Sequence, residues 1–405
     1  MLLFEKYEDD LSVGKKTVLG LQHMFTMFGA TVLVPLITGL DVSVALFMSG
    51  VCTIMFHLIT QGKIPIYLGS SFAFIPPILV VSKLYGMPYA LGGVVVSGLV
   101  YLVFALLAGI FGPKRIMSFF PPVVCGPIVI SIGLMLAPVA IHNASGNWFL
   151  AIVSVIIVAV ITVFTKGFIK VLPVLMGLIG GYIVALITGN VDFSPIREAA
   201  WFGIPKFTLA KFNAGAILFV APVAIATVVE HLADIVVLTS TCNRDFFKAP
   251  GLHRTLLGDG LASCLSAMFG GPANTTYSEN TGVLVLTRVF NPIVMRIAGC
   301  FAILIAIVPK FSAVISTIPV PVVGGISIVL FGMIAAVGVR TLVEHQVDFK
   351  NSRNLLIGAV VLVLALGGAE IPIPIEGEVM NVSALAVAAI TGVILNKVLP
   401  EKKAA

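Results

Sequence analysis

Gly270-Gly-Pro-Ala-Asn-Thr-Thr-Tyr-Ser-Glu-Asn-Thr-Gly282 is a polar, helix-breaking run inside a chain that is 59% apolar. The apolar residues that follow it, Val283-Leu-Val-Leu-Thr-Arg288, are too few to cross a bilayer unless the preceding turn joins them. The run is therefore expected to lie at membrane depth; the competing reading is an extramembrane loop. Glycine and proline release backbone N–H and C=O groups from helical pairing, and hydrocarbon tolerates this only where those groups are buried in protein or line a cavity. A second stretch has the same character: Pro65-Ile-Tyr-Leu-Gly-Ser-Ser-Phe-Ala-Phe-Ile-Pro-Pro77 carries Gly69, two serines and a Pro-Pro pair. Two interrupted segments at corresponding places in the two halves of a membrane chain point to a binding site between repeats.

The rest of the chain supplies the membrane. Of 405 residues only 10% are charged, against about 25% in an ordinary soluble domain. No globular core of this size hides so much apolar surface, so lipid is the solvent for much of it, and soluble and disordered classes are excluded. Residues 1–16 (MLLFEKYEDDLSVGKK) are mostly polar and run straight into apolar sequence, which reads as a cytoplasmic tail, partly helical, and not as a cleavable leader. Five cysteines (Cys52, Cys125, Cys242, Cys264, Cys300) show no metal-ligand or disulfide spacing and read as packing residues. No metal, cofactor or catalytic group is expected.

About fourteen apolar spans can be placed, centred near Phe25, Met48, Phe74, Leu99, Ile130, Ile156, Gly177, Ala224, Leu261, Val283, Ala302, Leu330, Leu362 and Ala389. With the N-terminus inside, the inner loops hold eleven basic residues, among them Lys114, Arg115, Lys170, Arg340 and Arg353. The outer loops hold only Lys83, Arg197, Lys206, Lys211 and Lys310. This asymmetry places both termini in the cytoplasm. The net charge of +6 is thus a topology signal, and no nucleic-acid partner is expected.

The chain also repeats itself. Pro122-Val-Val-Cys-Gly126 recurs as Pro321-Val-Val-Gly-Gly325, 321 − 122 = 199 residues on. Gln22-His23 matches Glu230-His231, and Ser70-Ser71 matches Ser278-Glu279, both at an offset of 208. An odd number of spans between equivalents gives the second copy the opposite orientation, as in secondary transporters. The expected architecture is an all-α polytopic membrane protein with two inverted seven-segment repeats. Its divisions are a tail at 1–16, repeats at 17–189 and 214–398, an extracytoplasmic loop at 190–213 containing Trp201, and a cytoplasmic tail at 399–405.

Four of the eighteen acids fall within spans: Glu230, Asp234, Asp259 and Glu279. An intramembrane carboxylate costs roughly 2.5–3.5 kcal/mol on insertion scales and usually faces a cavity or a partner. Glu230 and Asp234 are four residues apart and share a helix face. If both face segment ten, they meet Glu279, and three carboxylates in low dielectric cannot all ionise, so the group holds a proton. That is a basis for proton coupling through Glu279, Asp234 and Glu230, with His231 beside them. Alternatively these acids pair with buried bases such as His231, His23 or His57. Asp259, between Gly258 and Gly260, reads as a polar contact to another helix, and His57 as structural.

Aromatic residues flank the breaks: Phe72 and Phe74 in segment three, Tyr277 in segment ten. Membrane aromatics are usually packing. Beside carboxylates that accept N–H bonds and free backbone N–H groups that donate, they suit a small, flat, uncharged heteroaromatic solute.

At these residues a family resemblance becomes specific. Glu279-Asn280-Thr-Gly282-Val-Leu-Val-Leu-Thr287-Arg288 resembles the signature of the nucleobase–cation symporter-2 (nucleobase–ascorbate transporter) family. Leu21-Gln-His-Met-Phe-Thr-Met-Phe-Gly-Ala-Thr-Val-Leu-Val-Pro35 looks like that family's first helix. Gly62–Phe74 and Asn274–Glu279 are most similar to its bacterial uracil permeases, and glutamate at position 279 fits that branch. The resemblance spans nearly the whole chain. It implies fourteen segments divided into core and gate domains, short antiparallel strands in segments three and ten, and uptake of uracil with a proton through the cytoplasmic membrane by a homodimer. It also implies that Glu230 and Glu279 hold the base, that Phe72 and Tyr277 pack on it, and that backbone near Ser71, Phe72 and Ser278 donates to it.

Three positions depart from one uracil permease of that family: Asp234 stands where it has histidine, although other branches carry aspartate there, Phe331 where it has tyrosine, and Ser278 where it has glycine. The first two touch the proton route, and Ser278 adds a side chain near the ligand. A purine, xanthine or broad-range nucleobase symporter is the alternative, with an anion transporter of the same fold behind it. Against an enzyme stands the absence of HExxH or GxSxG spacing.

Overall fold

The computed structural model describes residues 11–375 and 378–400. The N-terminal tail assigned to 1–16 therefore lies largely outside the described residues, as does most of the tail at 399–405. In chain order the helices begin with α1 (Val13–Thr38) and α2 (Val42–Ile59), followed by strand β1 (Leu68–Ser70) and α3 (Ile75–Leu84). Then come α4 (Met87–Phe111), α5 (Pro113–Met117), α6 (Pro122–Met135), α7 (Ala137–Ser145), α8 (Trp148–Phe164) and α9 (Pro173–Ile187). A short α10 (Ser194–Glu198) sits in the long connection before α11 (Ala214–Val220), α12 (Ala224–Cys242) and α13 (Leu252–Met268). Strand β2 (Asn274–Thr276) leads into α14 (Ser278–Thr287), α15 (Pro292–Ala306), α16 (Pro309–Ser316), α17 (Val320–Glu344) and α18 (Ser352–Leu366). A hairpin of β3 (Ile371–Ile375) and β4 (Glu378–Val382) precedes α19 (Ala384–Val398).

All fourteen expected centres fall in helical elements, Phe74 in a 3₁₀ turn over Phe72–Phe74. Among the described residues, six helical stretches can cross a membrane by length and composition, or seven if α15 and α16, bent by 85°, count as one span; the shorter apolar helices include Trp148–Phe164 and Ser352–Leu366. The first helix starts at Val13, four residues before the expected boundary, because Ser12 caps it by accepting from the Lys15 N–H. Asp41 and Asn213 cap α2 and α11 in the same way. The connection at 190–213 is mostly irregular. Lys310 lies 5.3 Å from the Trp201 ring and donates to the Ala199 carbonyl, tying it down.

The two broken segments meet. Strands β1 and β2 pair antiparallel, Leu68 opposite Thr276, Gly69 opposite Thr275 and Ser70 opposite Asn274. One further backbone bond extends each end: Ser71 N–H to Ala273 O at 2.8 Å, and Tyr277 N–H to Tyr67 O at 3.0 Å. Groups freed from helical pairing thus find each other across the interior, which meets the demand that no backbone polar group face hydrocarbon. Pro76 and Pro77 do not break a helix. They sit in the first turn of α3, where a missing N–H costs nothing.

Each strand is bracketed by the helix before it. The Thr53 hydroxyl in α2 donates to Leu68 O (3.3 Å) and accepts from Leu68 N–H (3.0 Å). The Ser263 hydroxyl in α13 does the same to Asn274, at 2.8 and 3.2 Å. Helix crossings are similarly doubled. A Cβ on Gly50 of α2 would stand 2.4 Å from Gly299 O of α15, and one on Gly98 of α4 would stand 2.6 Å from Gly260 O of α13. Backbones so close admit only glycine.

Candidate functional site

A cavity of about 460 Å³ lies against the paired strands. Glu230 and Asp234 reach it from α12, Glu279 from the first turn of α14, and Thr275–Ser278 from the end of β2 and the start of that helix. Phe72 enters from the 3₁₀ turn that follows β1. The remaining wall is mostly apolar, from α1 (Thr26, Ala30), α9 (Val174, Leu175) and α17 (Leu330, Met333). Glu230, Asp234 and Glu279 are each partly exposed to the cavity and Ser278 openly so.

Asp234 is the best-held carboxylate. Its Oδ2 accepts from the Thr276 hydroxyl at 2.6 Å and its Oδ1 from the Ser278 hydroxyl at 2.5 Å. Charge-assisted O–H···O⁻ bonds are of this length. Glu230 Oε2 is buried with no hydrogen-bond partner among the described residues. A buried, unmatched carboxylate oxygen is costly and is satisfied by whatever polar group next enters the site.

Tyr277 is fixed rather than free. Its hydroxyl donates to Ser70 O at 3.0 Å, and its ring lies over Gly69, where a Cβ would stand 2.4 Å from ring atoms. Phe72 is backed by Phe331, ring centroids 6.0 Å apart at 71°. Phe331 itself does not line the cavity.

Of the residues expected at the site, Glu230, Glu279, Asp234, Phe72, Tyr277 and Ser278 come together at the cavity, whereas Ser71, His231 and Phe74 do not line it. Ser71 is fully buried with its hydroxyl unpartnered among the described residues. His231 turns away: its Nε2 lies 3.0 Å from Thr255 Oγ1, and its Nδ1 lies 3.1 Å from Asp259 Oδ2, within ion-pair distance. The contact expected of Asp259 is thus to segment eight. His23 accepts from Asn280 Nδ2 at its Nδ1 (3.1 Å), and His57 Nε2 lies 2.9 Å from Ile66 O. Thr26, Thr276 and Met333 are lining residues that sequence reasoning did not single out. Thr276 had a signal, as a hydroxyl inside the polar run; Met333, on an apolar helix, had none.

Known proteins resemble the chain over most of its length. The Permease family model called Xan_ur_permease matches residues 14–373. The chain is 43% identical over 402 residues to the uracil permease of Bacillus subtilis, covering 95% of this chain and 92% of that one. It is 37% identical over 389 residues to the uracil permease of Escherichia coli K12, covering 93% and 90%. Among solved structures, the transmembrane domain of the cyanobacterial bicarbonate transporter BicA superposes with a TM-score of 0.67, at 14% identity over 93% of this chain and 96% of that one. Murine Slc26a9 in its inward-facing state gives 0.70 at 10% identity, over 96% and 69%. These two likenesses establish the fold. The chain is a multi-pass membrane transporter and not an enzyme, and it belongs to the Permease family.

Proposed function

We propose that the chain is a nucleobase symporter that imports uracil together with a proton across the cytoplasmic membrane by alternating access. The observation that carries this reading is the convergence of Glu230, Glu279 and Asp234 on one cavity that Phe72 and Tyr277 also line. Glu230, with its unmatched oxygen, is the anchor for the N–H edge of the base. Glu279, on the first turn of α14, carries the coupling proton, and Asp234 tunes both. Phe72 and Tyr277 flank the ring, and backbone N–H groups at Phe72 and Ser278 donate to its carbonyls. The substrate named for the B. subtilis and E. coli relatives supports uracil.

The architecture behind this reading is fourteen segments in two inverted repeats, 17–189 and 214–398, with core and gate domains interleaved between them and the chain working as a homodimer. The doubled hydroxyl brackets, Thr53 on Leu68 and Ser263 on Asn274, support the repeat. The doubled glycine crossings support it as well. The cavity runs along α17 to Arg340 and Thr341 and along the chain to Val171. The charge asymmetry assigns those ends to the cytoplasm, so the cavity opens toward the inside in this conformation, with both termini on that side.

The test is uptake of labelled uracil into proteoliposomes with and without an inward proton gradient, challenged by unlabelled thymine, xanthine and other bases. Gradient-driven uptake that falls away in Glu279→Gln, and loss of uracil binding in Glu230→Ala, are expected. Uptake indifferent to the gradient overturns the coupling, and flux of bicarbonate or sulfate in place of uracil overturns the substrate.

A further inference from the structure

Helix α13 lines no part of the cavity, yet it touches both halves of the site. Along one of its faces run Thr255, Asp259, Ser263 and Ser266, spaced four, four and three residues apart, as one helical stripe requires. All four are buried. This is a costly arrangement for a helix in a membrane unless each polar group has work to do. Its N-terminal half grips α12: Thr255 and Asp259 stand at 3.0 and 3.1 Å from the two nitrogens of His231. His231 directly follows Glu230 and lies three residues before Asp234, so the Thr255 hydrogen bond and the close approach of Asp259 restrict the rotation of the helix that presents those carboxylates. The C-terminal half grips segment ten. Ser263 brackets Asn274 through its N–H and its carbonyl, and Ser266 donates to Pro272 O at 2.6 Å. Three residues after Asn274 the chain reaches Tyr277, Ser278 and Glu279. The same stripe thus sets where Glu230 and Asp234 stand and where Glu279 stands.

We infer that the Thr255–Asp259–Ser263–Ser266 stripe of α13 is the positioning element of the site. It holds the carboxylates of α12 and the strand of segment ten at a fixed separation without touching the substrate. Among the described residues, His57, Ser49 and Thr53 of α2 hold Ile66, Tyr67 and Leu68 of their own repeat, while Cys52 reaches across to the Ala262 carbonyl of α13 and no group of α2 grips a carboxylate helix. The double grip is a property of the second half, where the carboxylates are. This inference rests on the uracil reading.

The experiment measures uracil Kd on the purified full chain and KM and Vmax for uptake, in the parent and in Ser263→Ala, Thr255→Val and Thr255→Ser. A displacement near 1 Å at an oriented site costs up to about a hundredfold, and loss of one hydroxyl less, so Kd and KM should rise about tenfold in Ser263→Ala and Thr255→Val. Vmax should stay within about twofold, since no group that touches substrate or proton is altered. Thr255→Ser keeps the hydroxyl and should bind within about threefold of the parent. Binding by Ser263→Ala and Thr255→Val as tight as the parent's overturns the inference, as does Thr255→Ser as weak as Thr255→Val. A parent chain that binds no uracil overturns the functional reading instead.

Discussion

Ser278 donates its hydroxyl to Asp234, across the junction between the helix of segment eight and the broken chain of segment ten. Thr276, two residues earlier, holds the other carboxylate oxygen. The three groups form one unit, and Ser278 and Asp234, two positions expected to depart from a uracil permease, are each other's partners.

Removing either hydroxyl should therefore loosen Asp234. A hydrogen bond to a charged group is worth about 1.5–3 kcal/mol, so Thr276→Val or Ser278→Ala should raise the KM for uracil about tenfold or more, with the double variant worse than either. Uptake kinetics in proteoliposomes check this; unchanged KM in both single variants refutes it.

Gly69→Ala places a methyl group 2.4 Å from the Tyr277 ring. The ring must move and its bond to Ser70 O must weaken, so a loss of roughly 1–3 kcal/mol of stability is expected, as for other overpacked cores. A fall in thermal midpoint together with weaker uracil binding is the expected result, and a parent-like midpoint argues against the packing described.

Phe331 and Met333 separate packing from lining. Phe331 is buried against Phe72, so Phe331→Ala should cost about 3–5 kcal/mol and lower the thermal midpoint. Met333 is exposed on the cavity wall. Its truncation should leave the midpoint nearly unchanged, within about 0.5 kcal/mol, and alter which bases compete for uptake.

Two glycines make a matched pair for the helix crossings. In Gly260→Ala the new Cβ would stand 2.6 Å from Tyr101 Cβ and 2.8 Å from Gly98 O, and the crossing of α4 and α13 must open. In Gly332→Ala nothing lies within 4 Å, and the substitution should be neutral or stabilising by up to about 1 kcal/mol through helix propensity. Thermal denaturation of the two proteins side by side decides it.

The broken segments and the acids at Glu230, Asp234 and Glu279 were legible from sequence because polar residues in hydrocarbon need a reason to be there. The strand pairing came with the family resemblance, since a three-residue ladder has no periodicity to detect. Ser71 and His231 show where sequence runs out. In an extended chain neighbouring side chains diverge, so Ser70 bonds Thr31 O while Ser71 points elsewhere. On a helix, one residue past Glu230 is a turn of about 100°, which carries His231 from the cavity to Asp259. The apolar wall from α9 and α17 was invisible, because an aliphatic residue facing a cavity looks the same in sequence as one facing lipid.

The pairing of Gly69 with Thr275 joins residues 206 positions apart (275 − 69). During synthesis Leu68–Ser70 leaves the ribosome some two hundred residues before the strand that completes it. For that interval its backbone groups have no strand partner, so segment three cannot settle in lipid alone and must wait beside water or the insertion machinery. Closure of the cavity against the paired strands thus waits until more than half of this transporter has been made, and a chain truncated before Asn274 should be recognised by membrane quality control as unfinished, however well the segments before it insert.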